Sequence, residues 1–133
     1  MIFIDASSYV AILNSYDSLH KKALELSALI FTEGNKLMTS YAVLGEVLTV
    51  GSMRYNRQAS VDFVARIHKS NTEIILEDRQ LLEKAFNIFK KIKDKDVGWV
   101  DCYSFAIIEH YKIEKVFSFD KAFTKYTKAS ILE

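Results

Sequence analysis

Short apolar runs alternate along this chain with longer stretches in which apolar residues recur every three or four positions. The short runs predict strands over residues 2–4, 37–39, 72–76, 115–119 and 130–132. The helical periods predict helices over residues 7–14, 17–32, about 40–53, 57–69, about 78–93 and 100–111, and a short helix from Asp120. Strands that alternate with helices predict a mainly parallel sheet covered on both faces, a three-layer α/β/α sandwich.

Apolar residues recur at helical spacing within the predicted helices. In the second helix the repeated apolar positions are Leu19, Ala23, Leu26 and Ile30. In the fifth helix one face carries Leu81, Leu82, Ala85, Phe89 and Ile92. Two polar residues, Ser40 and Asp78, stand where helix N-caps are expected.

Composition narrows the class of protein. The 133 residues are half hydrophobic and fit a single domain over residues 1–133, which no proline or low-complexity stretch divides. The net charge is only +1, and no basic block in the sequence indicates a nucleic-acid partner, which leaves a local basic patch in the folded chain as the alternative. The lone Cys102 excludes an internal disulfide, and the apolar runs are shorter than the ~20 residues of a membrane span. We therefore expect a cytoplasmic, soluble chain without a membrane partner.

Two aspartates follow predicted strands at the points where helices begin. Asp5 ends the run "IFI", and Asp120 follows "VFSF". Sites in parallel sheets form beyond the carboxyl ends of the strands, so both carboxylates are candidates for one site. The alternative for each residue is a plain helix N-cap, a role that aspartate favours.

Two further acids lie on helices. Glu46 interrupts the apolar stretch "YAVLGEVLTV", where a buried carboxylate is costly unless it is paired, hydrogen-bonded or bound to a cation. Its alternative is an exposed position on the wet side of the helix. Asp101 falls in the first turn of a helix, where the dipole favours an anion, and its alternative is an electrostatic cap.

Four carboxylates that converge on one sheet edge would repel one another and raise each other's pKa. A hard divalent cation removes that repulsion, and Mg²⁺ and Mn²⁺ prefer oxygen ligands. Such a cluster suits phosphodiester hydrolysis, because the ion polarises the phosphoryl oxygen and lowers the pKa of a bound water. No zinc site competes, since His20, His68 and His110 are scattered along the chain.

Five segments in order then show a family resemblance that covers essentially the whole chain. They are "IFIDASSYVAIL", "DSLHKKA", "MTSYAVLGEVLTV", "VDCYSFAI" and "FSFDKAF". In these segments the sequence resembles PIN-domain ribonucleases, and in particular the VapC-type toxins of type II toxin–antitoxin systems. The resemblance implies a strand order of 3-2-1-4-5, with RNA as the substrate of an Mg²⁺- or Mn²⁺-dependent endoribonuclease. It also implies a homodimer, and a small antitoxin protein that lies in a groove and inhibits the toxin.

The same resemblance assigns roles to individual residues. The catalytic and metal-binding set would be Asp5, Glu46, Asp101 and Asp120. Of these, Asp5 and Asp101 would bind the metal directly, whereas the other two would orient waters or hold a second ion. Ser7 and Ser118 would support the carboxylates through their hydroxyls, with capping or turn bonding as the alternative.

Trp99 departs from the family pattern, which often has a small or hydroxyl residue two positions before the third acid. Its ring would either stack on an RNA base or pack in the core or an interface. The segment after Asp120 also lacks the glycine that the family often has there. Basic residues that could contact phosphates, or be solvated charges only, are Arg54, Arg57, Lys121 and Lys125.

Two other functional classes remain open from the sequence. A non-catalytic PIN-like module that binds RNA or a protein would keep the fold without the chemistry. A phosphoryl-transfer or phospho-acceptor domain also places an aspartate after its first strand. A haloacid-dehalogenase-like phosphatase would need a second aspartate two residues after Asp5, and this sequence has Ser7 there.

Overall fold

The computed structural model describes residues 1–132. Its strands are β1 Ile2–Ile4, β2 Leu37–Ser40, β3 Glu73–Ile75, β4 Lys115–Phe117 and β5 Ser130–Ile131. Its helices are α1 Ala6–Leu13, α2 His20–Thr32, α3 Tyr41–Arg54, α4 Arg57–Lys69, α5 Arg79–Lys91, α6 Trp99–His110 and α7 Ala122–Tyr126. Within this part of the chain, no helix combines the length and the hydropathy needed to cross a bilayer.

The five strands form one parallel sheet in the order β3-β2-β1-β4-β5. The central strand β1 is buried at all three positions, as expected for a strand with helices on both faces. Ile4 at its carboxyl end pairs with Phe117 of β4. The three-layer α/β/α architecture and the strand order 3-2-1-4-5 are therefore both confirmed.

Polar side chains begin four of the helices by accepting a hydrogen bond from a backbone N–H of the first turn. The donor–acceptor distances range from 2.8 to 3.3 Å, and the capping residues are Asp5, Ser40, Asn56 and Asp78. The caps predicted at Ser40 and Asp78 are confirmed. Because each cap satisfies an otherwise unpaired N–H group, these residues set the start of their helices locally.

The second helix begins three residues later than predicted, at His20 instead of residue 17. The side chain of Asn14 accepts a hydrogen bond from the N–H of Tyr16 at 3.0 Å, and that of Asp17 accepts from Leu19 at 2.8 Å. These two side chain–backbone turns compete with helix formation. Leu19 consequently lies outside the helix and is 39% exposed, so the prediction that it belongs to the helical period was wrong.

Phe89 belongs to the apolar face predicted for the fifth helix, but its side chain is 45% exposed. Helix α5 buries Leu81 and Ala85 fully, and the Phe89 ring lies at the margin of this contact, 6.2 Å from the Trp99 ring centroid. The helix ends at Lys91 because Ile92 takes an extended conformation. The periodicity identified the helix but overestimated the width of its buried face.

Strand β4 is shorter than the predicted 115–119, and the reason shapes the site. The N–H of Asp120 donates to the Ser118 hydroxyl at 3.0 Å, which turns the chain away from the sheet. The Asp120 carboxylate then accepts from the N–H of Ala122 at 2.9 Å. The last helix accordingly begins at Ala122, two residues after the predicted start.

Gly51 marks the closest approach of α3 to its neighbours. A Cβ atom at this position would lie 2.8 Å from Leu13 Cδ2 and closer still to Ser60 Oγ. Contacts this short force atoms apart in a packed interior. Gly45, also on α3, has nothing within 4 Å of the equivalent position and is exposed.

We therefore expect Gly51→Ala to lower the free energy of unfolding by about 1–3 kcal/mol through overpacking. Gly45→Ala is the matched control in the same helix, and it should raise stability by about 0.5–1 kcal/mol because alanine has the higher helix propensity. Urea unfolding followed by circular dichroism measures both. Equal effects of the two substitutions would contradict the proposed close approach.

Candidate active site

Asp5 is the first residue beyond the central strand and the N-cap of α1. Its backbone N–H donates to the Phe117 carbonyl at 3.1 Å, which extends the β1–β4 pairing by one step. The side chain is only 3% exposed. The strand register thus holds a buried carboxylate beside the point where β4 ends.

Two serine hydroxyls fix this carboxylate. Ser7 Oγ donates to Asp5 Oδ2 at 2.8 Å, and Ser118 Oγ donates to the same oxygen at 3.0 Å. Each hydroxyl also accepts a backbone hydrogen bond, from Phe119 and Asp120 respectively, both at 3.0 Å. The two serines therefore connect the ends of β1 and β4 through the carboxylate of Asp5.

The second oxygen of the Asp5 carboxylate, Oδ1, is buried and has no hydrogen-bond partner among the described residues. Burial is the largest influence on this group and raises its pKa, although the hydrogen bonds from Ser7 and Ser118 act in the opposite direction. An unpartnered buried acceptor costs free energy. Oδ2 of Asp5 therefore accepts hydrogen bonds from the protein, whereas Oδ1 is free to bind a ligand.

Glu46 reaches the same place from α3. It is half-buried and lines a cavity of about 350 Å³ together with Asp5. Burial, followed by the negative charges of the three nearby aspartates, raises the pKa of Glu46 to about 7. Its carboxylate is thus not an exposed group on the wet side of the helix.

Asp101 lines this cavity from the first turn of α6. The N–H of Gly98 donates to Asp101 Oδ2 at 3.0 Å, so the residue also helps to begin its helix. Burial raises the pKa of Asp101 to about 6, the bond from Gly98 opposes this rise, and the charges of Asp5 and Asp120 add to it. The capping role and a place in the site therefore coexist.

Asp120 completes the set from the turn after β4 and lines the same cavity. The structure therefore brings together all four carboxylates singled out from the sequence, with Ser7 in the cavity wall and Ser118 hydrogen-bonded to Asp5. Four separate segments supply these acids. Only the tertiary fold makes them neighbours.

The donor set suits a hard cation, although it is not a closed cage. Across residues 1–132, no three His, Cys, Asp or Glu side chains are grouped tightly enough to enclose an ion as they stand. Asp101 and Asp120 each direct one oxygen to a backbone N–H. Mg²⁺ keeps several waters and needs only one or two carboxylates, so the unpartnered Asp5 oxygen and its acidic neighbours fit such an ion.

One acidic residue that lines the cavity was not among the site residues predicted from the sequence. Asp17 lines the cavity, and its only signal was the segment "DSLHKKA". Arg54, considered only as a phosphate contact, lies in the same wall, two helical turns after Glu46. The other basic candidates lie elsewhere, with Lys121 and Lys125 lining a neighbouring cavity.

Trp99 belongs to a different surface. It is 38% exposed and packs between the rings of Phe89 and Tyr103, with centroids 6.2 and 6.4 Å away. It lines a shallow apolar depression with Phe86, apart from the acidic cavity. Cys102 is buried, which raises the pKa of its thiol and opposes a role as nucleophile.

Known proteins are similar to this chain in sequence and in fold. The 23S rRNA-specific endonuclease VapC20 of Mycobacterium tuberculosis is 29% identical over 124 residues, which cover 93% of this chain and 92% of the relative. The crystal structure of VapC20, described as a toxin that cleaves the sarcin-ricin loop, matches with a TM-score of 0.84 at 24% identity. That superposition covers 97% of this chain and 98% of the other.

A more distant structure is VapBC2 from Rickettsia felis, solved with a DNA fragment from its promoter. It matches with a TM-score of 0.62 at 16% identity and covers 99% of this chain and 98% of that chain. At these sequence identities, both solved structures show only that the fold is similar. The sequence model of the PIN domain, however, matches residues 2–129, almost the full length. This chain therefore belongs to the PIN domain family.

Proposed function

We propose that this protein is an Mg²⁺- or Mn²⁺-dependent endoribonuclease and the toxin of a toxin–antitoxin pair. The observation that carries the proposal is the convergence of Asp5, Glu46, Asp101 and Asp120 on one cavity in which burial and mutual repulsion disfavour their charges. The 23S rRNA-specific endonuclease VapC20, similar along nearly the full length, supports RNA as the substrate.

Asp5 and Asp101 are the proposed direct ligands, whereas Glu46 and Asp120 would orient waters or hold a second ion. When bound, the cation would neutralise the carboxylates, polarise a phosphoryl oxygen and lower the pKa of a water. The two serine hydroxyls keep the Asp5 carboxylate in one orientation. Such support of a ligand is typical of metal sites and contributes to both affinity and activity.

The chain's own residues also supply proton transfer and substrate charge pairing. Glu46 lines the cavity together with Asp5 and Asp101, so its carboxylate oxygen would accept a proton from the attacking water. Arg54 lies in the same cavity wall, and its guanidinium can pair with a substrate phosphate. These two groups share one face of α3, so the helix positions both.

Asp5→Asn should lower the rate of cleavage by about 100-fold or more, because it removes the charge of a proposed direct ligand. The fold should survive, since asparagine is an equally good N-cap. Asp78→Asn is the matched control, because Asp78 caps α5 with a 2.8 Å bond outside the site. Cleavage of a labelled RNA in Mn²⁺ and thermal unfolding measure the two properties. Cleavage at full rate by Asp5→Asn would refute the assignment.

The pKa values of the acids predict how the metal-free protein responds to pH. In the folded chain the pKa of Glu46 is raised from 4.5 to about 7, and that of Asp101 from 3.8 to about 6. Between the unfolded and folded pKa values, the folded state binds more protons than the unfolded state. Stability in EDTA should therefore fall as the pH rises from about 4 to 7.

Glu46→Gln should flatten this decline, whereas Glu25→Gln, an exposed acid on α2, should leave it unchanged. Mn²⁺ should raise the melting temperature more at pH 7 than at pH 5, because ligands must lose their protons to bind a metal. Differential scanning fluorimetry measures all of these shifts. An absence of any Mn²⁺ effect at millimolar metal would instead favour the non-catalytic PIN-like module.

The toxin assignment adds a small antitoxin protein as the proposed partner, in keeping with the resemblance of the sequence to VapC-type toxins. An apolar groove between α2 and α4 offers a surface for an apolar segment of that protein. Phe31 in its wall is 85% exposed, and Tyr9, Ile12 and Phe63 lie deeper. The homodimer stays a prediction, for which the exposed surface of Phe86, Phe89 and Trp99 is the supporting feature.

Expression alone should be toxic, and co-expression with the protein from the adjacent reading frame should restore growth. Phe31→Asp should then reduce co-purification of that partner, because it places a charge in the apolar groove. Tyr16→Asp is the control, since Tyr16 is 88% exposed and outside the groove. Growth that is unaffected by the chain alone would count against the toxin role.

A further inference from the structure

A second cavity, of about 480 Å³, lies directly beside the acidic one. Phe119 lines both cavities, and Ser118, which holds Asp5, lines the second. The N–H of Phe119 donates to Ser7 Oγ at 3.0 Å, so the wall that the two cavities share is anchored to the carboxylate network. An occupant of the second cavity would therefore lie next to the proposed reaction centre.

Three exposed lysines line this second cavity, which we call the lysine flank. Lys22 comes from α2, and Lys121 and Lys125 come from the turn before α7 and from α7 itself, four residues apart on one helix face. Among residues 1–132, no aspartate or glutamate lines the cavity. Within residues 1–132, the ion pairs are Arg79–Glu83 and Lys84–Glu109, so none of the three lysines has a carboxylate partner there.

A larger cavity, of about 990 Å³, shares Lys125 with the lysine flank but has a different mixture of charges. Its other charged lining residues include Lys84 and Lys128 together with Glu109 and Glu114. Lys84 and Glu109 form an ion pair at 3.2 Å. The charge of Asp94 acts on Lys125, but no aspartate or glutamate of residues 1–132 lines the lysine flank itself, although like charges held together repel one another.

Parts of the lysine flank are held in place. The ammonium group of Lys125 lies 5.1 Å from the ring centroid of Tyr126, a favourable cation–π distance. Lys121 directly follows Asp120, so its backbone position is set by the hydrogen bonds of that turn. The spacing between the lysines and the carboxylates is therefore a property of the fold.

Building on the proposed function, we propose that the lysine flank binds backbone phosphates of the RNA strand adjacent to the scissile bond. Lys22, Lys121 and Lys125 would neutralise phosphates on one side of the acidic cavity. Arg54 lies in the wall of the acidic cavity itself. Phosphate contacts of this kind position a nucleic acid without reading its sequence. The three lysines are thus positioning residues that set which bond meets the carboxylates.

An acidic peptide is the other polyanion that such a surface could bind. Continuity with the acidic cavity favours RNA, because only a ligand that carries a phosphodiester can use both cavities at once. A test must therefore contain both probes. We choose a fluorescent single-stranded RNA of about 12 nucleotides with 2′-O-methyl riboses, which resists cleavage, and a poly-glutamate peptide.

The test variant is Lys22→Gln/Lys121→Gln/Lys125→Gln. Its matched control, Lys36→Gln/Lys69→Gln/Lys115→Gln, removes three equally exposed lysines at or near the amino ends of β2, β3 and β4. Fluorescence anisotropy between about 50 and 200 mM salt gives the dissociation constant and its salt dependence. Circular dichroism checks that both variants are folded.

The test variant should bind the RNA about ten-fold or more weakly at low salt. The slope of log K against log salt should become shallower by about 2, since each phosphate contact on a single strand contributes about 0.7. The control should match the wild type. Equal affinity and slope in the two triple variants would overturn the inference, as would a loss of peptide binding with RNA binding intact.

Failure of this inference can be told apart from failure of the proposed function. Equal rates of RNA cleavage in Mn²⁺ and equal RNA binding by the wild type and the test variant would contradict the role of the lysine flank but not the nuclease activity. If the wild type binds the RNA through these lysines but cleaves no RNA, the proposed nuclease activity is refuted and the phosphate-binding role of the lysine flank is supported. No RNA binding by the wild type at low salt overturns the lysine flank.

Discussion

The burial of one carboxylate, that of Asp5, is the constraint on which the rest of the site depends. It terminates the central strand, begins α1 and binds the hydroxyls of Ser7 and Ser118. Those hydroxyls in turn accept the N–H groups of Phe119 and Asp120, so the end of β4 is tied to the end of β1. A single buried carboxyl group thereby aligns two strand ends and two helix starts, and one of its oxygens has no partner among residues 1–132.

This arrangement places stability and function in opposition. Glu46 and Asp101 enter the same cavity from α3 and α6, and burial and repulsion raise the pKa of both. Their charged forms are unfavourable without a counter-ion, a strain that is common at functional sites. The packing of α3 against its neighbours at Gly51 helps to hold Glu46 there. The apolar packing of the core thus keeps together a group of carboxylates that a cation would stabilise.

The charge distribution shows why net charge is a poor guide to partners. A value of +1 gave no sign of a nucleic-acid ligand. In the fold, however, acids converge on one cavity and lysines line the next, and Phe119 lines both. Such neighbouring regions of opposite charge would suit the proposed reaction, in which the acids would bind the metal and the lysines would bind the RNA strand.

Local chemistry in the sequence determined the alternation of strands and helices, the caps at Asp5, Ser40 and Asp78, and the aspartates at strand ends. These follow from residues that lie within a few positions of one another. The family resemblance supplied the strand order. Tertiary structure alone decided the exposure of Phe89, the entry of Asp17 into the site and the meeting of Lys22 with Lys121 and Lys125. Each of these depends on segments far apart in the chain, and periodicity along a single segment carries no information about which neighbours will pack against it.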